Sequence, residues 1–315
     1  MTREEHWALW RADPRATPFQ SPAWIEPWCA HLGDGERLDI VARDGTGRLV
    51  AALPGFLWVD GDTRRLVPLG AGTSDYCDAL FAPDVPDAPA RLWAACAAEA
   101  HRWDELWLPD LRDGSPLLGP LPSGWHDELV PHEVCPVLTM AADGQVLAAL
   151  TKSQRRKIVH DRHRAEALGG VEAHLAAPDE ISEALDALFA LHGARWAAAG
   201  EAGVLADARV QAFHRSAAPA LAEAGLLRLA VVKREGRIVA VLLGLSDGRR
   251  GYSYINGVEF APGQSYGTLA FACLIESVAA EGAREFHFLR GEEPYKYGWG
   301  AQPTRTHRRA VRRGG

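Results

Sequence analysis

Between Phe286 and Gly300 the chain reads FHFLRGEEPYKYGWG, which crowds Arg290, Glu292, Glu293, Tyr295, Lys296, Tyr297 and Trp299 around Gly291 and Pro294. Acid, phenol, ammonium, guanidinium and indole in one short loop can supply the parts of an acyl transfer to an amine. That reaction needs a base for the ammonium proton, an acid for the leaving group and a cation for phosphate or carboxylate. Glu292 or Glu293 is the candidate base, Tyr295 the acid and Lys296 the cation, with Arg290 and Trp299 as flanking substrate contacts. Two adjacent glutamates raise one pKa if they are partly buried, which suits a base at neutral pH. The plain alternative is a tight charged turn followed by an aromatic hinge packed on the core.

Three other stretches carry usable groups. GAGTSDYCD, Gly70 to Asp78, sets Asp75 and Tyr76 on small-residue backbone that a ligand can approach. Asp75 could equally hold a local turn by accepting backbone hydrogen bonds. As a site residue it is expected to stay ionised and solvated and to attract the acceptor ammonium, while Glu292 deprotonates it. FAPGQSYGTLAF places Gly263, Gln264 and Gly267 between a strand and a helix, where free backbone amides and the helix dipole can take a pyrophosphate. Just upstream, Tyr252, Tyr254 and Asn256 alternate along a strand and should share one face, lining an acceptor pocket or packing in the core. LHGARWAAAG puts Arg195 and Trp196 at a helix end that could form a lid or seal the core. No nucleophile elbow G-x-S-x-G and no Ser-His-Asp spacing occurs, which disfavours a covalent hydrolase.

These loops need elements to position them. The periodicity predicts a mixed α/β first domain over residues 1–141, with strands at LDIVARD, LVAALPGFLWV, RRLVPLG and ELWLPDL and a helix around Trp93. A Pro- and Gly-rich passage, Gly114 to Pro136, leads to a second domain over residues 142–315. That domain should open with a basic helix from Gly144 to Leu168 and continue as strand, two helices, three strands, helix, strand. The basic run Lys152 to Arg164 is either a solvated face, partly matched by Asp161 and Glu166, or a surface for the phosphates of coenzyme A or of an RNA.

The 315 residues, 47% hydrophobic and 24% charged, describe a globular protein of about two domains. No run approaches the ~18 apolar residues of a membrane span and the first residues are charged, so a cytoplasmic protein without membrane attachment is expected. Five scattered cysteines without a CxxC pair favour reduced thiols, and twelve histidines without HExxH give no metal site. A net charge of −7 argues against a dedicated DNA or RNA binder.

FLRGEEPYKYGWG, the SDY at Ser74, the basic helix around Arg155 and LHGARW followed by Gly200 occur in an order that resembles the BioF2-like or CelD-like acetyltransferases. These are a branch of the GNAT N-acyltransferase superfamily related to the FemAB aminoacyl transferases. The resemblance implies two tandem GNAT-like domains, each an α/β (α+β) unit with a mixed central sheet flanked by helices. It also implies that the SDY loop of the first faces the cleft of the second. The implied activity is transfer of an acetyl or other acyl group from acyl-CoA to the amine of a small molecule or sugar, without a metal. Donor binding would fall to the second domain, through Gly263, Gln264, Gly267 and Lys296. The family-like RG[DE]E word favours Glu292 as the base. Leu269 departs from the superfamily's phosphate-turn pattern, and His287 stands where family members commonly carry Asp. Two rivals are aminoacyl transfer from a charged tRNA and a non-catalytic binding protein that keeps the fold. Against tRNA stand the acidic chain and the lack of the helical-hairpin insertion of FemAB proteins.

Overall fold

A computed structural model describes residues 1–140, 150–260 and 265–314. In chain order its elements are α1 (Arg3–Ala12), α2 (Pro22–His31), β1 (Glu36–Arg37), β2 (Ile40–Arg43), β3 (Leu49–Leu53), β4 (Gly55–Asp60), β5 (Thr63–Pro68), β6 (Leu80–Phe81), α3 (Ala88–Ala98), β7 (Glu105–Arg112) and β8 (Trp125–Thr139). There follow α4 (Lys152–Leu168), β9 (Val171–Leu175), α5 (Ile181–Ala198), α6 (Ala208–Glu223), β10 (Leu227–Arg234), β11 (Arg237–Ser246), β12 (Arg250–Val258), α7 (Tyr266–Ala280), β13 (Glu285–His287), α8 (Pro294–Gly298) and β14 (Gln302–Arg313). They form two compact units, Met1–Val134 with Arg305–Gly315, and Cys135–Thr304.

In the first unit β1, β4, β5, β7 and β14 are neighbours in one sheet, and β2, β3 and β6 make a smaller one. β5 and β7 run parallel and pair only at Arg65 with Glu105 and Leu66 with Leu106, the crossover between them passing through α3. The core gathers Leu53, Leu66, Leu92, Trp103, Leu106 and Val311. β14 is antiparallel to β7, with Val311 opposite Leu106 and Thr306 opposite Arg112. A division at residue 142 would leave this tail with the second domain. Val311 (0% exposed) is instead a core residue of the first unit, and that burial draws the closing strand there.

The second unit is one sheet in the order β13, β12, β11, β10, β9, with the last residues of β8 pairing on β13. All pairings are antiparallel except β12 with β13, where α7 makes the crossover. The expected order of strand, two helices, three strands, helix and strand is the observed one. Glycines mark where helices close on the sheet. A Cβ at Gly244 would stand 2.5 Å from Leu274 and one at Gly251 2.6 Å from Val278, both on α7, whereas one at Gly257 would stand 2.8 Å from the Leu188 carbonyl of α5. α7 and α5 therefore cover opposite faces. The expected start of the basic helix at Asp143 and Gly144 lies outside the described residues; from Lys152 it is helix to Leu168.

Candidate functional site

The site begins with a ladder that stops early. β12 pairs with β11 from Ser246 opposite Gly251 out to Ala240 opposite Val258, but meets β13 only at Arg250, Gly251 and Tyr252. Beyond Tyr252 the two parallel strands no longer pair among the described residues. At the far end of β12 stands the start of α7, where Ser265 holds the N-cap position without a side-chain capping hydrogen bond. Among the described residues, a Cβ at Gly267 would meet only Val258 side-chain atoms, at 3.6 and 3.9 Å, an ordinary contact at the second residue of the helix. Gly263 and Gln264 lie outside the described residues. Two cations attend this helix start: Lys157, from the basic run Lys152 to Arg164, and Arg234, which no sequence motif marks. Lys157 donates to Thr268 Oγ1 at 3.3 Å and Arg234 to the Tyr266 hydroxyl at 3.2 Å. A cation near the positive end of a helix dipole is unfavourable unless an anion joins it. Asp161 supplies one at 2.7 Å from Lys157.

Tyr252, Tyr254 and Asn256 do not share a face. Leu243 pairs with Ile255 but Gly244 with Ser253, so Tyr254 is the extra residue of a β-bulge. The bulge shifts the alternation by one. Asn256, opposite Leu242, lies on the α7 side with Ser253, whereas Tyr252 faces away from α7 and Tyr254 packs its ring on His214 of α6, centroids 5.6 Å apart. Tyr252 donates to Asp247 at 2.6 Å and lies 5.1 Å from the ring of His287, whose Nε2 is 3.1 Å from Glu285.

The loop that follows β13 is wound around an ammonium. Lys296, 2% exposed, donates to the carbonyl oxygens of Leu289 at 3.2 Å, Arg290, and Gly291 at 3.1 Å, and pairs with Glu293 at 2.9 Å. Leu289 (φ 58°) and Gly291 (φ 106°) take left-handed conformations to turn those carbonyls inward. An ammonium has three protons, and all are spoken for. The expected role of Lys296 toward phosphate is thus replaced by a structural one. Tyr295 lies on Phe271 and Phe288, centroids 5.3 and 6.5 Å away, and buried Trp299 completes that wall at 6.1 Å from Phe271. Although Tyr295 keeps 40% of its surface exposed, the wall desolvates the phenol and pushes its pKa up. Glu293 adds to that rise and Arg195 opposes it. Such a phenol holds its proton at neutral pH. Glu292 is exposed and accepts from the Tyr297 hydroxyl at 3.4 Å, so the partial burial that a base role requires is absent. Arg290 is half-buried at the start of the loop.

At the end of α5, Trp196 donates from Nε1 to Nε2 of His192 at 2.9 Å, and the Arg195 guanidinium lies over its ring at 6.0 Å. Outward on α4, Lys152, Arg155, Arg156, Val159, His160 and His163 recur at helical spacing on one exposed face, opposite buried Ile158, Asp161 and Ala165. The expected match by Asp161 does not reach that face, because its carboxylate is held by Lys157.

Asp75 and Tyr76 belong to the first unit. Asp75 is 8% exposed and Tyr76 2%, the latter set edge-on to Phe19 with its carbonyl taken by Gln20 at 2.8 Å. Asp75, expected to be solvated, is therefore buried. Gly70 (φ 91°) lets the loop fold so tightly that a side chain there would overlap Ser74, whose hydroxyl accepts from Trp24 at 2.9 Å.

Residues 152–297 match the family model of the acetyltransferase (GNAT) domain. The chain carries a GNAT domain. That makes the protein an enzyme of the acyltransferase class, with the end of the β12–β13 pairing and the start of α7 inside the matched region. Solved structures share the fold across nearly the whole chain. FemX is 12% identical with a TM-score of 0.70, covering 98% of this chain and 96% of its own. The C-terminal domain of a putative lysylphosphatidylglycerol synthetase from Agrobacterium fabrum is 11% identical with a TM-score of 0.61, covering 99% and 92%. A tandem GNAT protein from the clavulanic acid biosynthesis pathway is 18% identical with a TM-score of 0.50, covering 100% and 95%. The comparison with curated proteins gave no match. Among the described residues, no group of three or more His, Cys, Asp or Glu is arranged for a metal ion, and no helix is long and apolar enough to cross a membrane.

Proposed function

We propose that this GNAT enzyme moves an acyl group from acyl-CoA to the amine of a small acceptor. The observation that carries the reading is the parting of β12 from β13 with the α7 N-terminus at its end. The end of the pairing between β12 and β13 suits entry of an amide-bearing pantetheine arm, and a helix start attended by Lys157 and Arg234 suits the diphosphate. Gly263 and Gln264 would complete that turn, and Gly267 leaves room for the phosphates. Asn256 faces this donor side, while Tyr254 faces the side of α5 and α6, where the acceptor would enter beside Trp196. Tyr295 is the proposed acid: its phenol is protonated at neutral pH, and Arg195 opposes the rise that burial imposes on its pKa. Glu292, solvated as it is, would attract the acceptor ammonium rather than deprotonate it. Arg290 and Trp299 would shape the loop around the reacting atoms. A Gly267→Val substitution should weaken CoA binding while the melting curve stays near that of the wild type. Unchanged CoA affinity by calorimetry in the folded variant would remove the donor site from this turn.

One observation favours a second donor. The outward face of α4 presents cations that no carboxylate pairs among the described residues, and such a face suits the phosphates of an aminoacyl-tRNA. In that reading the acyl group is aminoacyl and the leaving group a ribose hydroxyl.

A further inference from the structure

The stretch of α5 from Leu188 to His192 lies against the part of β12 beyond its pairing with β13. A Cβ at Gly257 would stand 2.8 Å from the Leu188 carbonyl and from Leu191 Cβ, and 3.0 Å from the His192 nitrogen. The residues just beyond His192 therefore stand beside that part of β12, on the face away from α7. Trp196 is fixed there from two sides. Its indole N–H is held by His192 Nε2 at 2.9 Å, and the turn at Gly203 (φ 72°) comes so close that a Cβ would stand 2.6 Å from the indole ring. His192 must accept through Nε2, which puts its own proton on Nδ1, and burial together with Arg195 lowers its pKa. A histidine kept neutral goes on accepting, so the indole stays in place across the physiological range.

Over this immobilised ring lies Arg195. It is exposed, and among the described residues no carboxylate pairs with it, whereas Arg215 pairs with Asp186 at 2.6 Å and Arg228 with Glu281 at 2.6 Å. Glu293, in the loop after β13, is taken by Lys296. Arg195 is also within electrostatic reach of Tyr295, where it works against the rise in the phenol's pKa. A guanidinium positioned by an aromatic platform and left without a counter-ion is a ready site for a planar or tetrahedral anion. The donor's phosphates belong at the α7 start, on the other face of β12, so the anion must come with the other substrate.

We propose that Arg195 is a specificity-determining residue that binds a carboxylate or phosphate carried by the acceptor amine, so that the preferred acceptors are anionic amines. The proposal rests on the acyl-transfer reading and adds a substrate class to it.

The test uses the full chain with acetyl-CoA and follows thiol release over matched acceptors: glycine, glycinamide, ethylamine and phosphoethanolamine. Glycine or phosphoethanolamine should be preferred, and which of the two wins separates carboxylate from phosphate. Arg195→Ala should raise KM for the preferred anion by about 10- to 100-fold while changing KM for ethylamine far less, and Arg195→Lys should recover part of the loss. A second readout needs no donor. Titration with N-acetylglycine or inorganic phosphate should quench indole fluorescence in the wild type, but not in Arg195→Ala, with Trp196→Phe identifying the reporting ring. Equal KM for glycine and glycinamide in the wild type, or identical anion titrations in wild type and Arg195→Ala, would overturn the proposal. If the anions bind through Arg195 but no acceptor releases thiol, the anion site stands and the acyl-CoA donor is what fails.

Discussion

Lys296 and Asp78 show what burial does to a charge when its partners differ. Lys296 is enclosed by carbonyl oxygens and Glu293, so its charge is matched inside the loop it folds. Asp78 is enclosed without an ion pair: Ala79 N–H and the Ser115 hydroxyl donate to it at 2.8 and 2.9 Å, Arg112 and Arg15 act only from a distance, and burial lifts its pKa from 3.8 to about 6. Below 3.8 the folded and unfolded chains both carry this proton. Between there and about 6 the unfolded chain releases it first, so stability falls as pH rises, by about 3 kcal/mol in all at roughly 1.4 kcal/mol per pH unit. Asp78→Asn keeps an oxygen for both donors and removes the titration. Its melting temperature should therefore match the wild type near pH 4 and exceed it by several degrees, about 2–4 °C per kcal/mol, at pH 7. Melting curves that stay superimposed at pH 7 would show the carboxylate is accommodated charged without cost. His6 and His214 have the opposite sign: burial lowers each to about 4, and their contribution is lost as pH falls from 6.5 toward that value.

The decisive elements are β12 and α4. One extra residue in β12 sends Tyr254 and Asn256 to different sides, so a single strand can serve donor and acceptor at once. On α4, packing uses the face with Ile158 and Ala165 and leaves the arginines outward. If that outward face meets RNA, wild-type affinity for a short RNA hairpin should fall steeply with salt. Arg155→Glu with Arg156→Glu should flatten the log–log slope by about 2, one for each phosphate no longer neutralised, while CoA affinity stays unchanged. A double variant indistinguishable from the wild type with either ligand would leave α4 as a solvated face and remove the tRNA reading's support.

For the molecule as a whole, the most consequential strand is the last. β14 brings Ala310 and Val311 into the core of the first unit, and buried Arg309 there holds Asp127 at 2.6 Å and the carbonyls of Leu117 and Gly119. Each unit contains one parallel strand pair joined through a helix, β5 with β7 and β12 with β13, and in each the parallel pairing covers two or three residues. Ending the chain after Thr304 should unmake the first unit selectively. Hydrogen exchange should then show the amides of β7 unprotected while those of β10 and β11 keep their protection. Retained protection in β7 would mean that β5 and the core suffice without β14.

Local rules along the chain are enough for the order of elements in the second unit, for the helix that begins beside Gly267 and for the crowded loop after Phe288. Periodicity, glycine and proline act within a few residues, and those features are local. Side-chain roles are not local. Lys296 looks like a phosphate ligand until three carbonyls of its own loop close on it, Asp75 looks solvated until Tyr76 and its neighbours pack, and Tyr252, Tyr254 and Asn256 look aligned until a bulge intervenes. Lys157 and Arg234 meet at the α7 start from elements far apart in the chain, a juxtaposition that only the tertiary structure creates. Hydrophobic pattern determines which strands and helices form, whereas burial, register and charge pairing across elements decide what each polar group is free to do.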